Sequence, residues 1–404
     1  MPTIVQWIDV VLLVVSLGLL VPIGFLFIEC CAALWPSRAR ANVIDSIRPR
    51  IAVLVPAHNE ESGIGATLKK LIPQLTNVDR LVVIADNCTD ATAAIARNCG
   101  ATVVERQDSD RRGKGYALDY GLRCLDADPP DVVIMVDADC IVEDGTIDRI
   151  ARQAAVTGRP VQATYLMEQP QNPSPKDGVS TLAFMVKNLV RNLGLERLGM
   201  PCLLGGTGMA FPWSVIREAP LASGNIVEDM QLGLDLAIAG HPPVFCSQGR
   251  VTGVLPQQKQ AAKSQRTRWE HGHLQTLVKQ VPLLVEESVV QRRWDLLAIA
   301  LELSVPPLSL LVILWLAAFG CALLGASLGL ASTAAILLAA EGLLILVSIF
   351  GAWAKFGRAY LPLSTLLAVP FYVLWKIPLY LAFLVRPQTK WIRTERDAVD
   401  ANAK

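Results

Sequence analysis

The sequence lacks the signatures of several common functional classes. No P-loop and no GxGxxG turn follows the first β-rich run, which argues against a dinucleotide-binding protein. The nine cysteines include no CxxC pair, so neither a zinc framework nor a disulfide scaffold is indicated. No basic stripe with interleaved aromatic residues is present and the net charge is only +1, so nothing points to nucleic-acid binding.

Charge is also scarce, because only 18% of the 404 residues are charged and 52% are hydrophobic. The deficit is uneven. Residues 8–35 and most of residues 295–385 are apolar, while residues 50–290 have ordinary globular composition. An apolar stretch of more than about 18 residues can cross a bilayer. We therefore predict an N-terminal anchor and linker (1–49), a water-soluble domain (50–290) and a C-terminal membrane region with a basic tail (291–404).

The charges that flank the apolar segments predict their orientation. No basic region precedes the first segment and no small-residue cleavage site follows it, which favours an uncleaved anchor over a signal peptide. Its C-terminal side is predicted to be cytoplasmic, because four arginines follow it: Arg38, Arg40, Arg48 and Arg50. The middle domain is then cytoplasmic as well.

The C-terminal region contains apolar segments at 295–326, 331–353 and 361–385. Basic residues lie on both sides of the last one, including Arg386, Lys390, Arg393 and Arg396 on its C-terminal side. We expect three full crossings in the whole chain, with 361–385 re-entrant or interfacial. Glu302 and Glu341 fall inside apolar segments, either as functional groups or as acids paired between helices.

In the middle domain, short Val/Ile-rich runs alternate with helical patterns. The predicted strands are 51–55, 81–85, 102–104 and 131–136, and the predicted helices between them are 62–75, 90–98 and 114–125. This alternation predicts an α/β fold with a mostly parallel sheet covered by helices on both faces. Ligands bind at the carboxyl ends of such strands. The candidate ligand-binding residues at those ends are Pro56, His58, Glu60, Asp86 and Asp137. Asp86 alone would also suit a helix N-cap.

Asp137 and Asp139 follow a buried strand and flank one residue. In an extended segment both carboxylates point the same way, so they could address one hard cation such as Mg²⁺ or Mn²⁺, together with substrate phosphates. Such an ion would neutralise the charge that develops on a diphosphate leaving group. The alternative is an ordinary acidic turn.

Glu228 and Asp229 open a predicted helix. We interpret Asp229 as a general base for an acceptor hydroxyl, with Glu228 as its orienting neighbour. Acids that interact with the helix dipole are the alternative. Upstream, the glycine-rich run with Gly206, Thr207 and Gly208 suits a loop beneath an acceptor sugar, or a plain turn.

Gln265, Arg268 and Trp269 share one face of a predicted helix over 258–278. Arginine binds phosphate bidentately, and an indole provides a flat platform for a sugar ring. A solvated basic helix is the alternative for the arginine, and a membrane-interface anchor is the alternative for Trp269. Lys114 lies in a glycine-flanked loop, either as a contact to a nucleotide or as an exposed turn lysine.

Together these residues resemble the processive membrane-bound members of glycosyltransferase family 2, such as cellulose, chitin and hyaluronan synthases. The resemblance covers roughly residues 50–280 and implies a GT-A-like fold. It assigns Asp86 and Lys114 to the uracil end of a UDP-sugar, Asp139 to the metal, and Asp229 to the base of a TED motif with Val227 in place of threonine. It matches Pro56, His58 and Glu60 to the nucleotide-binding segment that opens the domain, and it places Asp137 of the DxD motif on the donor side. It also matches Gln265, Arg268 and Trp269 to QxxRW, with Gln265 and Arg268 on the donor and Trp269 on the acceptor.

The expected activity is an inverting, metal-dependent hexosyl transfer from a UDP-sugar to a growing extracellular polysaccharide or lipid-linked glycan. The bilayer and polysaccharide export proteins are the expected partners, and a bacterial plasma membrane with a cytoplasmic catalytic domain is the expected location. The alternatives are addition of a single sugar to a lipid carrier and a non-catalytic component of an export machine.

Overall fold

The computed structural model describes residues 2–36, 46–170, 172–222, 226–256, 258–386 and 388. The chain forms two compact units. The helical unit contains residues 1–37, 173–198 and 273–387, and the sheet unit contains 38–172, 199–272 and 388–404. Arg38, Arg40, Lys390, Arg393 and Arg396, on which part of the orientation argument rests, lie outside the described residues.

The α-helices have the following bounds, in chain order. They are α1 (Pro2–Leu34), α2 (Ile64–Leu71), α3 (Thr92–Asn98), α4 (Lys114–Arg123), α5 (Thr146–Thr157), α6 (Pro175–Met185), α7 (Asn192–Leu198), α8 (Trp213–Ile216), α9 (Glu228–Ile238), α10 (Lys259–Val290), α11 (Trp294–Ser304), α12 (Leu308–Ser327), α13 (Ser332–Ala352), α14 (Ser364–Leu367) and α15 (Val369–Val385). A 3-10 turn covers Ile72–Gln74, and π-helical turns cover Val186–Arg191 and Trp353–Gly357.

Eight strands form one sheet in the order β3-β2-β1-β4-β7-β6-β8-β5. They are β1 (Ile51–Ala57), β2 (Arg80–Asp86), β3 (Thr102–Arg106), β4 (Val132–Met135), β5 (Ile141–Val142), β6 (Val161–Glu168), β7 (Met209–Pro212) and β8 (Val244–Val254). β1 to β4 pair in parallel, and β6 pairs in parallel with β8. β7 is antiparallel to both β4 and β6, and β5 is antiparallel to β8.

The predicted α/β class is thus confirmed, with a mixed sheet that is parallel through its first half. The four predicted strands and the three helices between them are all present, with ends shifted by a few residues. Continuous Val/Ile/Leu runs form the centre of this sheet, as expected where side chains are buried on both faces. In the core, Leu54 of β1, Ile84 of β2 and Val133 of β4 pack with Leu118 and Leu122 of α4, all buried. This packing fixes the strand ends that carry the polar residues.

In the helical unit, three helices are long and apolar enough to cross a membrane, among the residues that the structure describes. They cover Trp7–Leu34, Leu308–Ser327 and Ser332–Gly357. The prediction of three long apolar helices is confirmed. The second is shorter than the predicted segment 295–326, because Pro306-Pro307 interrupts the helix and separates α11 from α12. The last apolar segment forms the 17-residue helix α15, and its placement as re-entrant or interfacial remains a prediction.

Glu302 takes part in a buried ion cluster of the helical unit. Arg191 donates from Nε to Glu29 at 2.7 Å and from Nη2 to Glu302 Oε2 at 2.5 Å. All three side chains are at least 95% buried. Glu302 is therefore an acid paired between helices. By contrast, neither carboxyl oxygen of the buried Glu341 has a hydrogen-bond partner among the described residues.

Candidate active site

The carboxyl ends of β1 and β2 carry a first polar cluster. His58 Nδ1 lies 2.6 Å from the carbonyl oxygen of Asp86, so it donates to that oxygen. The carboxylate of Asp86 is buried and accepts at Oδ1 from Arg106 Nη1 at 2.6 Å and from Asn87 Nδ2 at 3.0 Å. Arg106 is opposite Asp86 because it ends β3 in parallel register with β2. Asp86 is therefore a carboxylate fixed by neighbouring side chains.

Pro56 and Glu60 complete this edge of the sheet. Pro56 belongs to β1 and pairs in register with Ile84 of β2. Glu60 is buried, and its backbone N–H donates to Thr92 Oγ1 at 2.7 Å. The two loops after β1 and β2 are thereby tied to each other, so His58 and Asp86 are held in place by backbone contacts.

A second cluster follows β4 and contains both aspartates of the DxD motif. Ligand atoms of Asp137, Asp139 and Cys140 all lie within 4.8 Å of one another. Cys140 Sγ donates to Asp139 Oδ1 at 3.7 Å. Burial raises the pKa of the Cys140 thiol well above its ordinary value, so the thiol stays protonated. The anionic donors are then two carboxylates, a set that fits Mg²⁺ or Mn²⁺.

Lys114 joins this cluster from the start of α4. Its Nζ forms an ion pair with Asp137 and donates to the carbonyl oxygen of Gly206 at 2.5 Å. The side chain of Lys114 is only 20% exposed. An exposed turn lysine is therefore wrong for this position; the ammonium group is part of the acidic centre.

The glycine loop lies between Lys114 and Asp229. Gly206 has φ +94°, and a Cβ there would stand 3.0 Å from Asp229 Oδ2 and 3.7 Å from Lys114 Nζ. A side chain at this position would be strained and would press on both charged groups. The absence of a side chain at Gly206 thus allows both the lysine and the carboxylate to lie close to the backbone.

Thr207 and Gly208 hold the loop to the sheet. Thr207 is fully buried, and its Oγ1 accepts from the backbone N–H of Asp137 at 3.0 Å. The carbonyl oxygen of Gly208 accepts from Ala163 N–H of β6 at 2.9 Å. The contact observed for the Thr207 side chain is thus with the DxD segment, while a role of this loop in acceptor binding remains a prediction.

The amide of Gln162 on β6 bridges the same loop. Its Oε1 accepts from Gly205 N–H at 2.7 Å and its Nε2 donates to the Thr207 carbonyl oxygen at 2.9 Å. Gln162 is 2% exposed. The sequence motifs predicted neither Gln162 nor Arg106. A polar residue inside a mostly apolar strand is a weak signal for Gln162, and a strand end in register with Asp86 could have indicated Arg106.

Gln265, Arg268 and Trp269 lie on α10, as predicted, although this helix extends to Val290. Gln265 is buried and its Oε1 has no hydrogen-bond partner among the described residues. Arg268 and Trp269 are partly exposed. The helix reaches the acidic pair through Gly272, because a Cβ at Gly272 would lie 2.6 Å from Cγ1 of Val227, the residue before Glu228.

The family model described as "Glycosyltransferase like family 2" matches residues 49–272, more than half of the chain. The chain belongs to glycosyltransferase family 2. The resemblance drawn from the motifs is thereby confirmed, and the matched segment begins before β1 and ends at Gly272, so it includes every candidate site residue.

One solved structure shares the fold over most of the chain, and curated relatives match part of its sequence. The mannosyltransferase PcManGT from Pyrobaculum calidifontis, in complex with GDP-Man and Mn²⁺, matches 92% of this chain and 99% of its own, with a TM-score of 0.55 at 19% identity. At that identity the match shows the fold alone. The 4,4′-diaponeurosporenoate glycosyltransferase of Staphylococcus aureus (strain MRSA252) is 38% identical over 81 residues, which are 20% of this chain. The match spans about a fifth (21%) of that relative's length.

The charged groups in the family 2 site shift one another's pKa values. Burial by itself lowers the pKa of Lys114, but Asp137, Glu228 and Asp229 outweigh burial and raise it above its ordinary value. Burial raises the pKa of Glu228 to about 7, with Asp229 adding to the rise and Lys114 opposing it. Burial also raises the pKa of Asp137, against the effect of Lys114. The site therefore has one fixed cation among several carboxyl groups that repel each other.

Proposed function

We propose that this family 2 protein is an inverting, metal-dependent glycosyltransferase that moves a hexosyl group from a UDP-sugar to a hydroxyl of a growing or lipid-linked glycan. The observation that carries the proposal is the position of Gly206. The carbonyl oxygen of Gly206 accepts from Lys114, which pairs with Asp137 of the proposed donor side, and a Cβ on Gly206 would lie 3.0 Å from Asp229 Oδ2. Direct displacement needs a base close to the leaving-group site, and these contacts support that arrangement.

On the donor side, Asp139 would hold Mg²⁺ or Mn²⁺, and Asp137, which also forms an ion pair with Lys114, would be a second ligand. The ion would supply charge neutralisation to the diphosphate as it leaves. Lys114 adds a fixed positive charge at the same place, and Arg268 would bind the diphosphate through its guanidinium fork. Asp86 would accept a hydrogen bond from the nucleotide base, beside His58.

On the acceptor side, Asp229 would remove the proton from the attacking hydroxyl. The oxygen of that hydroxyl forms the new bond to the anomeric carbon while the bond to the UDP oxygen breaks, so the configuration inverts and no covalent enzyme intermediate is needed. The electron pair of the broken bond leaves with UDP, and the proton rests on Asp229. Glu228 orients this carboxylate, and Trp269 would stack on the acceptor sugar.

A second candidate is the addition of one sugar to a membrane-embedded acceptor. Two observations favour it. The three long apolar helices would hold the protein in a bilayer, and the partial relative at 38% identity is named for transfer to 4,4′-diaponeurosporenoate. Product length separates the two candidates. Chain extension gives a ladder of products at limiting acceptor, and single addition gives one product.

We also propose that the sheet unit faces the cytoplasm of a bacterium, at the plasma membrane. Arg48 and Arg50 follow α1 in the sequence, and Lys355 and Arg358 follow α13. Basic residues at these two helix ends agree with a cytoplasmic position under the positive-inside bias. The orientation can be tested with an impermeant maleimide on Arg112→Cys, introduced into a variant whose nine native cysteines are replaced. Labelling in intact cells would contradict it, and labelling only after lysis would support it.

The decisive test of the activity is UDP release by the purified protein in detergent or nanodiscs, with a panel of UDP-sugars and Mn²⁺. Release with at least one donor is expected, and EDTA or Asp139→Ala should abolish it. A parallel arm with GDP-sugars tests the nucleotide, and preference for GDP would contradict the UDP assignment. No release with any donor, from protein that melts cooperatively, would contradict the enzymatic function.

A further inference from the structure

Gln162 makes the contacts of a positioning residue, although it lies inside a strand and touches none of the proposed catalytic side chains. Both ends of its amide are used. Oε1 accepts from Gly205 N–H at 2.7 Å, and Nε2 donates to the carbonyl oxygens of Thr207 at 2.9 Å and Ala163 at 2.8 Å. A buried amide with three well-placed backbone partners fixes those partners firmly, because leaving any of them unpaired in the interior is costly.

The two loop contacts of Gln162 bracket Gly206. Gly205 and Thr207, the residues on either side, are the ones that its amide holds. Between them, Gly206 presents its carbonyl oxygen to Lys114 and its α-carbon to Asp229. The Gln162 side chain therefore fixes the backbone on both sides of the glycine that contacts Lys114 and lies next to Asp229.

The same loop is connected to the DxD segment by Thr207, whose hydroxyl accepts from Asp137 N–H at 3.0 Å. A shift of the loop would therefore move Asp137 and the surroundings of Asp229 in a coupled manner. Catalysis by oriented groups is sensitive to such shifts, since a displacement of about 1 Å can cost on the order of 10²-fold in rate.

We propose that Gln162 is a positioning residue that sets the placement of Asp229 relative to Lys114 and Asp137 by clamping the backbone on both sides of Gly206. This inference rests on the proposed function, in which Asp229 is the base and Lys114 and Asp137 belong to the donor side. It assigns to β6 a role in the chemistry that goes beyond its place in the sheet.

The test uses Gln162→Glu, because the glutamate side chain can donate a hydrogen bond only when it is protonated. The ionised carboxylate can still accept from Gly205 N–H but cannot donate to Thr207. The protonated acid has one acceptor oxygen and one O–H donor, so it can restore both loop contacts but not the second donation, to Ala163. Since burial favours the neutral form of a carboxyl group, protonation is expected at accessible pH. Each variant is compared with wild type at the same pH, so that titration of other site groups cancels.

Two further variants complete the design. Gln162→Met is uncharged and of similar length, and it removes both loop contacts at every pH. Gln153→Met is the matched control. Gln153 Nε2 also donates to a backbone carbonyl of this sheet, that of Phe245 on β8 at 3.0 Å, but among the described residues it makes no hydrogen bond to the glycine loop.

The kinetic measurements are kcat for transfer, the dissociation constant of UDP, and the ratio of transfer to donor hydrolysis. At pH 8.5, Gln162→Glu should lower kcat by about 10²-fold with UDP affinity within threefold of wild type, and it should recover at least tenfold toward wild type at pH 6. Gln162→Met should show the loss at both pH values, and Gln153→Met at neither. If Gln162 matters only for stability, the variants will lower the melting temperature while kcat per folded molecule stays at the wild-type value at both pH values. That result would overturn the inference.

A measurement without substrate separates this inference from the proposed function. Amide hydrogen exchange of a peptide that contains Gly205 and Thr207 should be faster in Gln162→Glu than in wild type at pH 8.5, and equal to wild type at pH 6. Unchanged protection in Gln162→Glu and Gln162→Met would overturn the inference. Loss of protection in a protein that releases no UDP would support the clamp while contradicting the proposed activity.

Discussion

Gly272 of α10 lies directly against Val227, the residue that precedes Glu228 and Asp229. A Cβ at Gly272 would stand only 2.6 Å from Val227 Cγ1, closer than side-chain carbons approach one another. Since Gln265, Arg268 and Trp269 occupy the two turns before Gly272, this contact connects the QxxRW helix to the acidic pair. Valine replaces the threonine of the motif at this contact, and the glycine provides the space for it.

We therefore predict that Gly272→Ala impairs catalysis by displacing Val227 and the start of α9. The expected loss in kcat for transfer is about 10-fold to 10²-fold, since shifts of about 1 Å cost this much. Val227→Ala should restore most of it in the double variant. Gly65→Ala is the control, because a Cβ there meets only Ile95 Cγ2 at an ordinary 3.7 Å. Additive losses in the double variant would contradict the contact.

The raised pKa of Glu228, about 7 against an ordinary 4.5, predicts a pH dependence of stability. Between these two values the folded state binds more protons than the unfolded state, so this group makes stability fall as pH rises from 4.5 to 7. Above the folded value the penalty is complete. Glu228→Gln removes it, so the melting temperature of the variant relative to wild type, measured in EDTA, should be higher at pH 8 than at pH 5. A difference that is the same at both pH values would contradict the assignment.

The buried cluster of Arg191 with Glu29 and Glu302 predicts a large stability effect in the helical unit. Arg191→Met leaves two buried carboxyl groups without their cation, and breaking such a pair costs about 3–5 kcal/mol. Arg217→Met is the control, since its ion pair with Glu218 is exposed and worth about 0–1 kcal/mol. Unfolding in detergent micelles measures both.

Addition of Glu29→Gln and Glu302→Gln to Arg191→Met should recover much of that loss, because no charge then stays buried without a partner. Equal destabilisation by Arg191→Met and Arg217→Met, or no recovery in the triple variant, would show that the cluster does not stabilise the helical unit.

Sequence patterns predicted the first half of the sheet and its acidic edge well, and the reason is local. A run such as residues 51–55 is apolar throughout, so it is a strand buried on both faces, and the polar residues after it must lie at the sheet edge. The same logic placed Asp137 and Asp139 after β4. The three membrane-length helices were predictable because hydropathy alone defines them.

The rest depended on contacts between residues far apart in the sequence. Nothing near Gln162 reveals that its amide meets a loop more than 40 positions later, and Lys114 reaches Gly206 across 92 positions. The antiparallel entry of β7 between β4 and β6 likewise follows from long-range pairing, which periodicity does not encode. The hydrogen bond between the Thr207 hydroxyl and Asp137 N–H could not be predicted for the same reason, since 70 positions separate the two residues.

Substitution of Trp269 separates its two proposed roles, a stacking platform for the acceptor sugar and an anchor at the membrane interface. If it stacks on the acceptor sugar, Trp269→Ala should spare hydrolysis of the donor by water and lose transfer to sugar, while Trp269→Tyr should retain part of the transfer. An anchoring role predicts poor membrane association with a normal ratio of the two reactions in the remaining protein. Equal loss of hydrolysis and transfer would count against stacking.

Asp229 is proposed as the base that acts next to the donor-side charges of Lys114 and Asp137, without itself binding UDP. Asp229→Asn keeps the size of the side chain and removes the proton-accepting charge. In one set of samples, kcat for transfer and the dissociation constant of UDP with Mn²⁺ should be measured against wild type. We expect kcat to fall on the order of 10²–10⁴-fold with nearly unchanged UDP affinity. A loss that appears mainly in UDP binding, with kcat preserved, would contradict it.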